Sequence, residues 1–118
     1  MLTQPDTRHI ALAPCPDLVT IRAKGILLAE SRSALILTEN GYAPRFYFPK
    51  IDVLMKHLQP SDKTSVCPHK GRAVYFHAEN DAGRLENIAW SYPAAKLAVA
   101  EISGMIAFYE EKLTVSID

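Results

Sequence analysis

The stretch TSVCPHKGRAVYF, Thr64 to Phe76, places a thiol, an imidazole and an amine within four residues, Cys67 to Lys70. Three kinds of chemistry use such a set. A cysteine beside a cation or a histidine can serve as a nucleophile, because the thiolate is the reactive form and nearby positive charge favours it. Cysteine and histidine together also ligate zinc. A lysine carried on a tight turn can instead grip a polar or anionic ligand group.

Tetrahedral zinc needs four protein ligands, or three and a water. Cys67 and His69 supply two, Cys15 is remote in sequence, and His9, His57 and His77 form no close-spaced pair with them. A set of Cys67, His69 and His77 is conceivable but has no anchoring pair, so no metal and no cofactor is expected. The nucleophile is disfavoured because Cys67 precedes a proline at a strand end, where a free cysteine is more often a small buried side chain.

The ligand-gripping turn fits the pattern better. Pro68 and Gly71 interrupt a strand, and the turn between them projects the Lys70 ammonium group. Beyond it, Tyr75 and His77 share one strand face while Val74 and Phe76 share the other. Trp90 and Tyr92 likewise share a face, with Ser91 opposite. If these faces are one side of one sheet, Tyr75, Trp90 and Tyr92 form an aromatic wall beside Lys70, suited to a small planar or partly anionic molecule. The plainer description makes Trp90 and Tyr92 core aromatics with satisfied polar ends.

The chain that must position these residues has 118 of them, 48% hydrophobic, enough for one domain with a single core. Thirteen basic residues balance thirteen acidic ones, and no basic stripe appears, so no nucleic-acid partner is expected. Two cysteines outside any CxxC motif, with no secretory leader pattern, point to free thiols and a cytoplasmic setting. No apolar run approaches the ~18 residues of a membrane span.

Residues 1–17, with Pro5, Pro14 and Pro16, read as an extended N-terminal arm ahead of one domain over 18–118. LVTIRA alternates as a strand; GILLAES and ALILTEN follow, joined across SRS as a hairpin, and Asn40-Gly41 supplies the next reversal before RFYF. PKIDVLMKHLQP predicts the one helix, since Ile51, Leu54, Met55 and Leu58 fall on one helical face between Pro49 and Pro60. KHLQPSDK continues as a solvated loop. RAVYFHAE and LENIAWSYP form a hairpin around NDAG, AAKLAVAEI is open between short helix and loop, and MIAFY and LTVSI form a last hairpin around EEK. The class is mainly β, or α+β with one short helix, and the exposed edges expected of an open β-fold leave room for a homodimer.

Over about 19–118 the chain resembles the "domain of unknown function 427" family, sometimes labelled nucleotidyltransferase-like. The pieces that carry the likeness are Arg22 in TIRA, then AESRSALILTENGYAP, FYFPKIDV, TSVCPHKGRAVYF, AWSYP and ISGMIAFY. The resemblance implies a β-tent-like fold, two antiparallel sheets meeting at an angle, and no settled activity. The acidic metal-binding cluster and phosphate turn that nucleotidyl transfer uses are not visible. His69 stands where the family often has an aromatic residue, which argues against a required imidazole there. Arg22, Tyr47 and Asp52 are the polar residues of the family pattern expected to reach the same hollow, unless Arg22 simply pairs with Asp52 or Glu39. The leading expectation is a small-molecule binding domain around the CPHKG turn, with Lys70 for charge, Tyr75 and Trp90 for stacking, and Arg22 and Asp52 for orientation. The alternatives are an enzyme using the same pocket, with Lys70 or Asp52 in acid–base work and Tyr92 as proton donor, or a module that docks a protein partner on the open sheet.

Overall fold

Runs of alternating side chains become strands wherever both a core face and a pairing edge exist for them. The computed structural model describes residues 9–81 and 83–118. Its strands are β1 (Ile10–Cys15), β2 (Val19–Ala23), β3 (Ile26–Ser31), β4 (Ala34–Glu39), β5 (Tyr42–Phe48), β6 (Leu58–Cys67), β7 (Gly71–Asn80), β8 (Gly83–Ser91), β9 (Ile106–Phe108) and β10 (Thr114–Ile117). Seven of them form one antiparallel sheet in the order β1-β4-β5-β9-β8-β7-β6, and β10-β2-β3 form a second. The protein is thus mainly β with two antiparallel sheets, and the helical segments among the described residues are short 3-10 turns.

Alternation along the strands separates two cores. Phe46, Phe48, Ile106 and Phe108 point toward the small sheet and pack with its Val19, Ile21, Leu28 and Ala29. Tyr47, Ala107, Trp90, Tyr75 and Ala73 point the other way, where Val99 and Ile102 from the 3-10 segment Leu97–Ile102 cover part of the same face. The large sheet is therefore covered on one side by strands and on the other by a short irregular segment that leaves a hollow.

The structure differs from the sequence reading in four places. The helix expected between Pro49 and Pro60 is two single 3-10 turns, Lys50–Asp52 and Met55–His57, and the solvated loop expected at KHLQPSDK is instead strand from Leu58 on, the start of β6. Tertiary pairing overrides the helical spacing. Val53 bridges Ala29 and the Leu54 N–H donates to the Leu28 carbonyl at 2.8 Å, while Ile51 is 92% exposed rather than on a buried face. The hairpin expected across SRS does not form, because β3 and β4 belong to different sheets and the segment crosses between them; the hairpins on either side of it are β2–β3 and β4–β5. β9 and β10 are parted in the same way, with a 3-10 turn at Glu110–Lys112 between them. The extended arm joins the large sheet: β1 pairs along β4 from Ile10 opposite Glu39 to Cys15 opposite Ala34. Pro14 is tolerated there because β1 is an edge strand and its missing N–H need face no partner. Residues 1–8 of that expected arm, and Ala82 in the expected NDAG turn, lie outside the described residues.

Candidate functional site

The Cys67-Pro68-His69-Lys70-Gly71 segment is the β6–β7 turn, closed at its base by the Cys67–Gly71 pair. Gly71 has φ +112, a left-handed conformation that costs glycine little. The Lys70 carbonyl accepts the Lys96 N–H at 2.9 Å, so the turn is tied to the segment that covers the sheet. Lys70 is folded inward, 9% exposed. Its Nζ donates to Glu39 Oε1 at 2.8 Å and sits 3.7 Å from the Cys67 sulfur. Glu39 ends β4, on the same face as Leu37, so the pair joins β4 to the turn between two strands that are not its neighbours in the sheet.

This ion pair forms one wall of a cavity of about 290 Å³ on the second face of the large sheet. Tyr47, Tyr75, Trp90 and Tyr92 line it beside Lys70, as do Arg45 and Tyr109. The rings are held by one another. Trp90 Nε1 donates to the Tyr47 hydroxyl at 3.3 Å, the Trp90 and Tyr109 centroids are 4.6 Å apart, and the Tyr75 hydroxyl is 2.9 Å from Ser65 Oγ. Arg45 lies over Trp90 and Tyr109, 5.4 and 5.5 Å from their centroids, and forks onto Glu111 at 2.7 and 3.2 Å. Lys63 covers Tyr75 from 4.6 Å.

Electrostatics follow burial. Desolvation pushes the Tyr47 phenol up to about 12 and drives Tyr92 and Tyr109 upward as well. The cavity therefore presents neutral phenols. The Glu111 carboxyl, hydrogen-bonded to the Arg45 guanidinium, is held down at about 2. Its neighbour Glu110 goes the other way, raised by burial although its carboxylate accepts the Phe46 N–H at 2.9 Å.

Of the residues expected at the site, the structure brings Lys70, Tyr75, Trp90, Tyr92 and Tyr47 to one cavity. It does not bring Arg22 and Asp52. Arg22 is exposed on β2, since Ile21 and Ala23 on either side of it are buried and alternation turns it outward. Asp52 accepts the Ser31 hydroxyl at 2.6 Å and pins its 3-10 turn to β3. Of the two carboxylates weighed as partners of Arg22, Glu39 pairs with Lys70 and Asp52 with the Ser31 hydroxyl. The sequence reading passed over Arg45, Tyr109 and the Lys70–Glu39 pairing. Two of these had a signal: Arg45 lies two residues before Tyr47 and Tyr109 two after Ala107, each on its neighbour's strand face.

Among the described residues no three His, Cys, Asp or Glu side chains gather closely enough to hold a metal ion. Cys15 and Cys67 are both free thiols. No helix among them is long and apolar enough to cross a membrane. The hollow thus offers polarised aromatic surface, protonated hydroxyls, one thiol and two cations already facing carboxylates. No curated protein matches the sequence. The family model described as "Domain of unknown function (DUF427)" matches residues 11–118, and the chain belongs to that family.

Proposed function

We propose that the protein binds a small planar molecule with a polar or anionic edge in the cavity beside the CPHKG turn. The observation that carries this reading is the convergence of a buried ammonium group with four aromatic side chains from β5, β7 and β8 and its C-terminal extension on one hollow of about 290 Å³. Apolar walls with a few fixed polar groups are what a small-molecule site requires. Aromatic faces supply contact area for a flat ring, and the phenols and Lys70 supply donors to its edge.

A thermal-shift screen against small metabolites tests it, because a ligand that binds only the folded chain raises the melting temperature. A hit is expected to lose its effect in Lys70→Met/Glu39→Gln, which removes both charges together. A hit that stabilises the double variant equally would place the binding elsewhere.

One observation favours a second reading, an enzyme on the same cavity: the Lys70 ammonium group stands between the Cys67 sulfur and the Glu39 carboxylate. In that reading Lys70 and Cys67 carry the chemistry. Tyr92 is a poor proton donor near neutral pH, since burial pushes its phenol further above its ordinary value of 10. Turnover of a screening hit that disappears in folded Cys67→Ala would support it.

A further inference from the structure

We propose that Glu111 is an internal stand-in for the acid group of the cavity's ligand, and that the ligand is an aromatic carboxylate whose carboxylate replaces Glu111 on Arg45. This rests on the reading of the cavity as the site of a planar molecule.

Two cations border the cavity, and their partners differ. Lys70 and Glu39 are both enclosed, with side chains 11% and 6% exposed, so removing Glu39 from Lys70 would strand a buried charge. Arg45 is paired outward: Glu111 is 57% exposed against 24% for the arginine. An ion pair so open to solvent is held weakly and is exchanged at little cost.

The guanidinium is nonetheless fixed in place. It rests on the Trp90 and Tyr109 rings, and its Nη1 also points at the Phe108 carbonyl from 3.4 Å. Its two parallel donors already engage both oxygens of one carboxylate, at 2.7 and 3.2 Å, which is the geometry a ligand carboxylate would adopt. A donor fork that is ordered before the ligand arrives loses little freedom on binding.

Glu111 can leave without unfolding anything. The 3-10 turn that carries it is held by Glu110, whose carboxylate accepts the Phe46 N–H at 2.9 Å, and by the Lys112 and Leu113 N–H bonds to Tyr109 and Glu110 at 3.0 Å each. A change of side-chain rotamer at Glu111 is enough to free the fork. Arg45 lines the hollow together with Trp90 and Tyr109, so an acid group that takes the fork from the hollow's side brings its ring beside theirs.

Trp90 is the only tryptophan in the sequence, so its indole N–H gives one nuclear magnetic resonance signal that reports on this cavity. The protein and its Glu111→Gln variant are titrated with benzoate, with benzamide as the uncharged ring, and with inorganic phosphate as the ringless anion. Benzoate is expected to move the signal in both proteins and to bind Glu111→Gln about two- to five-fold more tightly, the scale of an exposed ion pair. Benzamide should bind both proteins alike, and phosphate should leave the signal in place. In Arg45→Met the advantage of benzoate over benzamide should vanish.

Equal or weaker benzoate binding by Glu111→Gln, with both ring compounds still bound, would overturn the exchange and leave the cavity reading intact. A phosphate shift as large as that of benzoate would overturn the aromatic part. If neither benzoate nor benzamide moves the signal in either protein, the cavity reading fails and this proposal with it.

Discussion

Lys70 and Glu39, thirty-one positions apart in sequence, meet at 2.8 Å inside the protein and lock the β6–β7 turn to the end of β4. Their worth depends on both being present. Replacing one leaves the other charge buried without its counter-ion, a loss of ~3–5 kcal/mol for enclosed pairs. Lys70→Met is therefore expected to lower unfolding free energy by roughly that amount, and Lys70→Met/Glu39→Gln by much less than the sum of the two single changes. Urea denaturation of the four proteins measures the coupling. Additive single effects would mean that water, not the partner, solvates each charge.

The Arg45–Glu111 pair makes an acid-limb prediction. The Glu111 carboxyl is held at about 2 in the folded chain, below its ordinary 4.5. Its stabilising effect is complete above the unfolded value and fades as pH falls through the folded one. The stability difference between the protein and Glu111→Gln should thus be present at pH 6, shrink below 4.5 and vanish near 2. With Glu111 largely exposed, that difference stays within about 1 kcal/mol. Glu110, shifted upward by burial, works in the opposite sense: its protonation favours the fold as pH falls. The protein as a whole should show a flatter acid profile than Glu111 alone would give.

How much of this was legible in the sequence follows from which interactions are local. Strand alternation puts Trp90 and Tyr92 on one face and leaves open whether Tyr75 joins them, and the breakers Pro68 and Gly71 locate the turn that carries Lys70. Those inferences use period two and turn chemistry, both readable from a few adjacent residues. The false helix at PKIDVLMKHLQP had real helical spacing, yet β3 captured Val53 and Leu54 from a distance that no local pattern reports. The hairpin across SRS failed for the same reason, since leaving one sheet for another looks locally like a turn. Arg22 and Asp52 were assigned to the site from the family pattern alone. Strand parity sets Arg22 opposite Ile21 and Ala23, and with those two buried it faces outward. The Lys70–Glu39 pairing had no local signal at all.

Tyr47 gives an alkaline-limb prediction. Burial raises its phenol to about 12, above the ordinary 10 it regains on unfolding. Its contribution is therefore full below pH 10 and is lost as pH rises toward 12, because only the unfolded chain ionises there. Tyr47→Phe should flatten that loss. It also removes the acceptor of Trp90 Nε1, so at pH 7 it is expected to cost about 1–3 kcal/mol for an indole N–H left unsatisfied. Denaturant titrations at pH 7 and 11 separate the two effects. A variant as stable as the parent at pH 7 would mean that the indole finds another acceptor.

Gly71 is a place where the turn's backbone lies close against the segment leading into the cavity's cover. At φ +112 an L side chain is strained, and a Cβ there would stand 3.3 Å from the Ala94 carbonyl oxygen, a backbone atom that cannot swing aside. Gly25 is a natural control: its φ of +83 is also left-handed, but a Cβ there would meet nothing within 4 Å. Both alanine substitutions carry the conformational penalty, of order 1–3 kcal/mol. Gly71→Ala adds a steric push against residues 94–96, and it is expected to be the more destabilising of the two. That push also loads the Lys96 N–H bond to the Lys70 carbonyl, so amide exchange at Lys96 should quicken in Gly71→Ala and stay unchanged in Gly25→Ala. Equal stability losses with unaltered Lys96 exchange would show that the close approach does not hold the covering segment to the turn.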